Sequence, residues 1–190
     1  MIQDVDDTLK ELLVQKAAID PSLIDIKFEM PTREWSASVS KPTVNVYLYD
    51  VRENHELRSN EPYLARAADK KTGTQQRAPV RIDLCYLITA WTTDISDEHQ
   101  LLGRILLTLL RFPLLPDEVL KGSLQTQPFP IHAWIAQPER TPNPWDFWGH
   151  VEHRMKSGLS YAVTTAFEPT DVETVALALS TRVDITPIRS

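Results

Sequence analysis

Three sets of residues have the types and spacing that chemistry would need. In the first, His150-x-x-His153 puts two imidazoles on one helical face, and Asp146 one turn earlier could complete a metal site. Zinc proteases instead need histidines four apart with a glutamate between them, so the plainer reading is an exposed polar face. In the second, Asp50, Arg52, Glu53 and His55 follow a strand. Acid, base and imidazole suit proton transfer, and equally suit surface charges paired with one another. The third set is two isolated groups: Cys85 in an apolar strand reads as an inert buried thiol, and His99 as a residue near a helix cap. No G-x-S-x-G, G-x-G-x-x-G or G-x-x-x-x-G-K occurs, and five glycines against fourteen prolines leave little for phosphate-cradling loops. These residues point to no catalytic group, no metal and no cofactor.

The elements that would position them are readable from periodicity. Helical spacing of Ile2, Val5, Leu9, Leu12 and Leu13 predicts a helix over Ile2 to Ala18, with Asp4, Asp6 and Asp7 at its positive end. Alternation predicts a half-buried strand from Leu23 to Glu29. Pro31-Thr-Arg-Glu-Trp35 reads as a turn. Thr43 to Val51 then places Val44, Val46 and Leu48 on one face and Asn45, Tyr47, Tyr49 and Val51 on the other, as in a central strand covered on both sides.

Basic residues Arg66, Lys70, Lys71 and Arg77 surround a predicted hairpin tip at Thr72-Gly73-Thr74. Val80 to Trp91 predicts a strand that starts exposed and ends covered. A helix capped by Asp94 or Ser96 follows to about Phe112, with Leu101, Leu102, Ile105, Leu106, Leu109 and Leu110 as its apolar set. Beyond it are expected a helical turn at Pro116 to Gly122, a strand at Ile131 to Ala136 and a short helix at Trp145 to Lys156. A core strand at Gly158 to Phe167 and a further strand within Thr174 to Ile185 complete the series. The sum is α+β, a mainly antiparallel sheet flanked by helices.

The 190 residues suit one domain over 1–167, with 168–190 as an extension. With 26 acidic against 20 basic residues the chain lacks the basic balance of a nucleic-acid binder. One cysteine excludes an internal disulfide framework, and no apolar run is long enough to span a membrane.

PTREW at 31–35 and KPTVNVYLYDVREN at 41–54 resemble the tail-terminator or cap proteins of extracellular contractile injection systems, the phage-tail-like particles related to the antifeeding prophage. The resemblance continues in APVRIDLCYLITAW at 78–91 and DEHQLLGRILLTLLRFPLLP at 97–116, and more loosely through residue 167. It implies a phage tail-terminator-like fold and no catalysis. It also implies a homohexameric ring on the inner-tube and sheath proteins of the same particle, assembled in the cytoplasm and able to leave the cell with it. Some members of that family carry a further C-terminal region, and the last 23 residues here match none of it.

A ring built head to tail needs two different complementary patches on each protomer. Six copies at −6 would carry roughly −36, so opposite charges must meet across the contacts. The candidate interface residues are Arg33, Glu34, Trp35, Asp50, Arg52 and Glu53 around the central strand, and Arg66, Lys70, Lys71 and Arg77 of the basic hairpin. The charged ends of the strand would pair across protomers or lock to each other. Two other readings remain: a metal-dependent enzyme using Asp146, His150 and His153, and a monomeric adaptor for an effector or baseplate component.

Overall fold

The structure is a computed structural model that describes residues 1–59, 78–137 and 156–168 in full, and the strands at 63–66, 72–76 and 173–176 by their backbone. The main sheet has five strands. In order across the sheet they are β1 (Asp25–Lys27), β2 (Thr43–Glu53), β5 (Val80–Trp91), β7 (Gly158–Phe167) and β6 (His132–Ile135). Every pairing is antiparallel except that of β1 with β2. A separate three-stranded sheet joins β3 (Tyr63–Arg66), β4 (Thr72–Gln76) and β8 (Glu173–Ala176). The α+β expectation holds.

Position in the sheet explains the hydrophobic patterns. β5 lies at the centre between β2 and β7, and from Asp83 onward it is buried on both faces, as its shift from alternating to apolar residues predicts. β2, expected to be central, is one place off centre. Only its first four residues, Thr43 to Val46, are fully buried, and its far end is half-exposed beyond a bulge between Leu48 and Asp50.

One face of the sheet carries Val44, Val46, Leu84, Tyr86, Ile88, Tyr161 and Val163. It packs in one core with the buried stripes of α1 (Ile2–Lys16) and α3 (Ile95–Arg111). Each fully buried aliphatic side chain there contributes about 1.5–3 kcal/mol. Tyr86 crosses this core to donate its hydroxyl to Asp6 Oδ1 at 2.8 Å, pinning α1 over the central strand. Burial pushes the Asp6 carboxyl above its ordinary range, partly offset by that hydrogen bond.

Several expectations need correction. Pro31 to Trp35 is not a simple turn, because Thr32 caps a six-residue helix, α2 (Arg33–Ser38), by accepting from the Trp35 N–H at 3.1 Å. Thr72–Thr74 is not a hairpin tip: it belongs to β4, and the connection to β3 falls at 67–71, outside the described residues. Leu110 belongs to the exposed side of α3, not to its core stripe, because the buried set is rotated toward Glu98, Leu101, Leu102, Ile105, Thr108 and Leu109. The edge strand is three residues long, although Ile24, Ile26 and Phe28 do pack against the core as the alternation predicts.

The region after α3 is held to α1 by several contacts, Lys16 with Glu118 and the Lys121 N–H with the Thr8 hydroxyl among them, and most tightly at Gly122. Gly122 has φ +53°, and a Cβ added there would sit 2.3 Å from Asp4 Oδ1. The same carboxylate accepts from the Ser123 N–H at 3.2 Å and from the Ser123 hydroxyl. Alanine at this position would combine left-handed strain with displacement of that anchor. Gly122→Ala should therefore destabilise the chain by about 1–3 kcal/mol, read from the urea midpoint at constant slope. A change below about 0.3 kcal/mol would refute this role.

Candidate functional site

The candidate interface residues are best located from β2, whose two ends are flanked by charged or aromatic groups. At its Thr43 end, α2 turns Trp35 inward. The indole meets Trp91 edge-on, with ring centroids 5.2 Å apart and planes at 83°. Val39 and Tyr49 pack on the same small cluster with Leu87, so this second face of the sheet has its own apolar seal. Trp35 is thus first a packing residue. Arg33 and Glu34, its neighbours, point to solvent. The Glu34 carboxylate, bonded to its own N–H and to the Thr32 hydroxyl, is held below the usual range.

Two adjoining grooves open beside this helix. One, of about 270 Å³, is lined by Ser36, Val39, Ser40, Lys41, Pro42 and Trp91 to Thr93. The other, of about 190 Å³, lies against the edge strand and is lined by Asp25, Lys27, Glu29, Trp35 and Lys41 among others. Lys41 bonds Asp25 at 2.9 Å on the rim.

At the other end of β2, Arg52 faces Asp50 at 3.8 Å, and Arg58 lies 3.3 Å from Glu53. These are half-exposed pairs worth little individually. His55 is exposed in a short 3₁₀ turn, so the acid, base and imidazole set resolves into surface pairs. What organises this end is Asn54, which no sequence motif marks. Its amide donates to the buried Asp83 carboxylate at 3.0 and 3.2 Å, its side-chain oxygen accepts from the Leu57 N–H, and its own N–H bonds Arg81 O at 2.8 Å.

The two ends stand roughly 35 Å apart along an eleven-residue strand, so they do not lock to each other. Arg66 belongs to β3, while Lys70, Lys71 and Arg77 lie outside the described residues. So do Asp146, His150 and His153. Among the described residues no three His, Cys, Asp or Glu side chains cluster as a metal site would need. Cys85 is buried as expected, and its thiol is pushed up to about 11, chiefly by desolvation.

Polar residues inside the fold carry much of its specificity, and periodicity misses them. Asn45, fully buried on β2, accepts from the Glu29 N–H at 3.2 Å and donates to Glu29 O at 2.8 Å, supplying the pairing that the short edge strand cannot. The signal available in the sequence was its place in an otherwise bulky strand, where asparagine is disfavoured without a partner. Glu98, in the first turn of α3, is buried and paired with Lys156.

A model of the Pvc16 N-terminal domain family matches residues 4–180. No curated protein matches the chain in sequence. Among solved structures, the fold is similar to the PVC sheath/tube terminator of an extracellular contractile injection system in its extended state. That likeness has a TM-score of 0.69 at 24% identity and covers 100% of this chain and 65% of that one. It is also similar to the anti-feeding prophage tube-terminating cap, with a TM-score of 0.69 at 20% identity, over 97% of this chain and 62% of that one. The chain thus spans less than two thirds of either structure, and the expected terminator-like fold is the one it has. With its family match running from the first helix to beyond β8, the chain belongs to the Pvc16 N-terminal domain family.

Proposed function

We propose that this chain acts as the structural cap of a contractile injection particle, ending polymerisation of the inner tube and sheath without catalysis. The observation that carries this reading is the terminator fold shared along the chain with two proteins described as tube or sheath terminators. In this reading the protein assembles in the cytoplasm as a homohexamer, seats on the free ends of tube and sheath, and remains part of the particle. Arg33, Glu34, Asp50, Arg52 and Glu53 are accessible or partly accessible at the two ends of β2 and would serve its contacts. Arg66, Lys70, Lys71 and Arg77 would add a basic contact arm, with 168–190 as an extension to the domain.

Such a cap works by presenting a surface that the growing tube accepts while offering no equivalent surface for the next ring. Deleting the coding sequence should therefore yield over-long, uncapped or absent particles by electron microscopy, restored by the intact chain. Particles of normal length and normal ends in the deletion would rule the reading out.

A further inference from the structure

The outer side of α3 has a composition that the monomer does not explain. Leu107 is 60% exposed and Leu110 56%, and with Gly103 they recur at four- and three-residue spacing on one side of the helix, while Leu114, 45% exposed, follows just beyond the helix end. Gly103 sits mid-helix, where glycine is unfavourable, yet a Cβ added there would meet nothing within 4 Å. Nothing among the described residues requires that glycine. A second surface packed closely against the helix would.

The same side carries Arg104 and Arg111, and from His99 to Leu115 the chain has no carboxylate, although it holds 26 in all. Its complement therefore needs exposed apolar groups among acids.

The opposite edge of the main sheet has that character. α3 packs over β5, β6 and β7, whereas β1 closes the far side beyond β2. Leu23 and Met30, 65% and 45% exposed, stand on either side of β1. From Asp20 to Glu34 there are four carboxylates against two cations, and Glu29 and Glu34 are exposed. β1 is bonded to β2 alone among the described strands, leaving an edge that a helix can cover.

We infer that the Gly103/Leu107/Leu110 side of α3, with Leu114 just beyond its end, docks on the β1 edge of a second copy of this chain. The two patches differ and lie toward opposite edges of the sheet, so the contact is head to tail and can close a ring. The inference rests on the cap reading above and names the surfaces that would join its protomers. It brings Glu34 into that contact, while Asp50, Arg52 and Glu53 remain at the other end of β2.

The test is the mass of the purified full chain in solution across concentration, by native mass spectrometry and light scattering. The wild type should assemble, and Leu107→Glu with Leu110→Glu should weaken self-association at least tenfold while leaving the circular dichroism unchanged. Because two acidic substitutions could disturb folding, Gly103→Ala provides a second arm. Its methyl meets nothing in the monomer, so the melting temperature should hold or rise while assembly weakens. Arg104→Glu with Arg111→Glu, and separately Glu29→Lys with Glu34→Lys, should each impair assembly, and mixing the two variants should restore it. Undiminished assembly of the leucine and glycine variants, or no rescue on mixing, overturns the inference and leaves the cap reading untouched. A wild-type chain that stays monomeric at every concentration overturns it too, and the particle-length experiment then judges the cap reading separately.

Discussion

Lys156→Met is expected to cost the fold roughly 3 kcal/mol, close to the whole penalty for stranding a buried charge. Its ammonium pairs with the Glu98 carboxylate, which is buried in the first turn of α3, and also stands 4.8 Å from the centre of the Trp91 ring. Removing the lysine leaves a desolvated carboxylate without its partner and takes a cation from the indole face. The expected loss lies at the low end of the range for buried pairs because the Lys156 side chain is still 18% exposed. Replacing both partners, Glu98→Leu with Lys156→Met, removes the charge as well as its partner and should recover most of the loss. Urea unfolding of the two single variants and the double variant gives the coupling directly. A Lys156→Met chain within about 0.5 kcal/mol of wild type would show that water, not lysine, satisfies Glu98.

That pair also shows where reading the sequence succeeds and where it stops. Periodicity locates α1, α3, β2, β5 and β7, because burying one face repeats along the chain at 3.6 or 2 residues. The Asp94 cap is readable for the same reason, being local: its carboxylate accepts from the Ser96 N–H at 2.6 Å. Glu98 and Lys156 are separated by 58 residues, and nothing in either segment announces the other. Asn45 and Glu29 are close in sequence yet joined across a parallel pairing that alternation cannot reveal. The exposed leucines of α3 mislead for a different reason. A helix apolar over most of its circumference carries no sequence mark of which arc meets the sheet, so Leu110 is assigned to the core when it faces outward. Of the candidate interface, the charges flanking β2 are legible as exposed, whereas their separation to opposite ends of the sheet follows only from strand length and the placement of α2.

Asp83→Ala is the second large effect, about 3 kcal/mol, and it bears on function as well as stability. Asp83 is buried on the central strand, where its carboxylate accepts from the Asn54 amide on one side and the Thr164 hydroxyl on the other. It thereby ties the end of β2 to β5 and β7. Alanine leaves both donors buried and unpaired, at about 1–3 kcal/mol each, while sparing the desolvation of the carboxylate itself. Asp83→Asn keeps the shape and one acceptor, so it should lose roughly half as much. The local consequence separates this role from general destabilisation. With its amide released, Asn54 holds the 3₁₀ turn at His55–Leu57 less firmly, and hydrogen exchange at Leu57 N–H and Asn54 N–H should accelerate before exchange in α1 does. Asp50, Arg52 and Glu53 ride on that strand end, so assembly contacts made by them would weaken in Asp83→Ala even where the core survives. Uniform acceleration across α1, β5 and the turn would instead mean that Asp83 supports the sheet as a whole and does not specifically order its charged end.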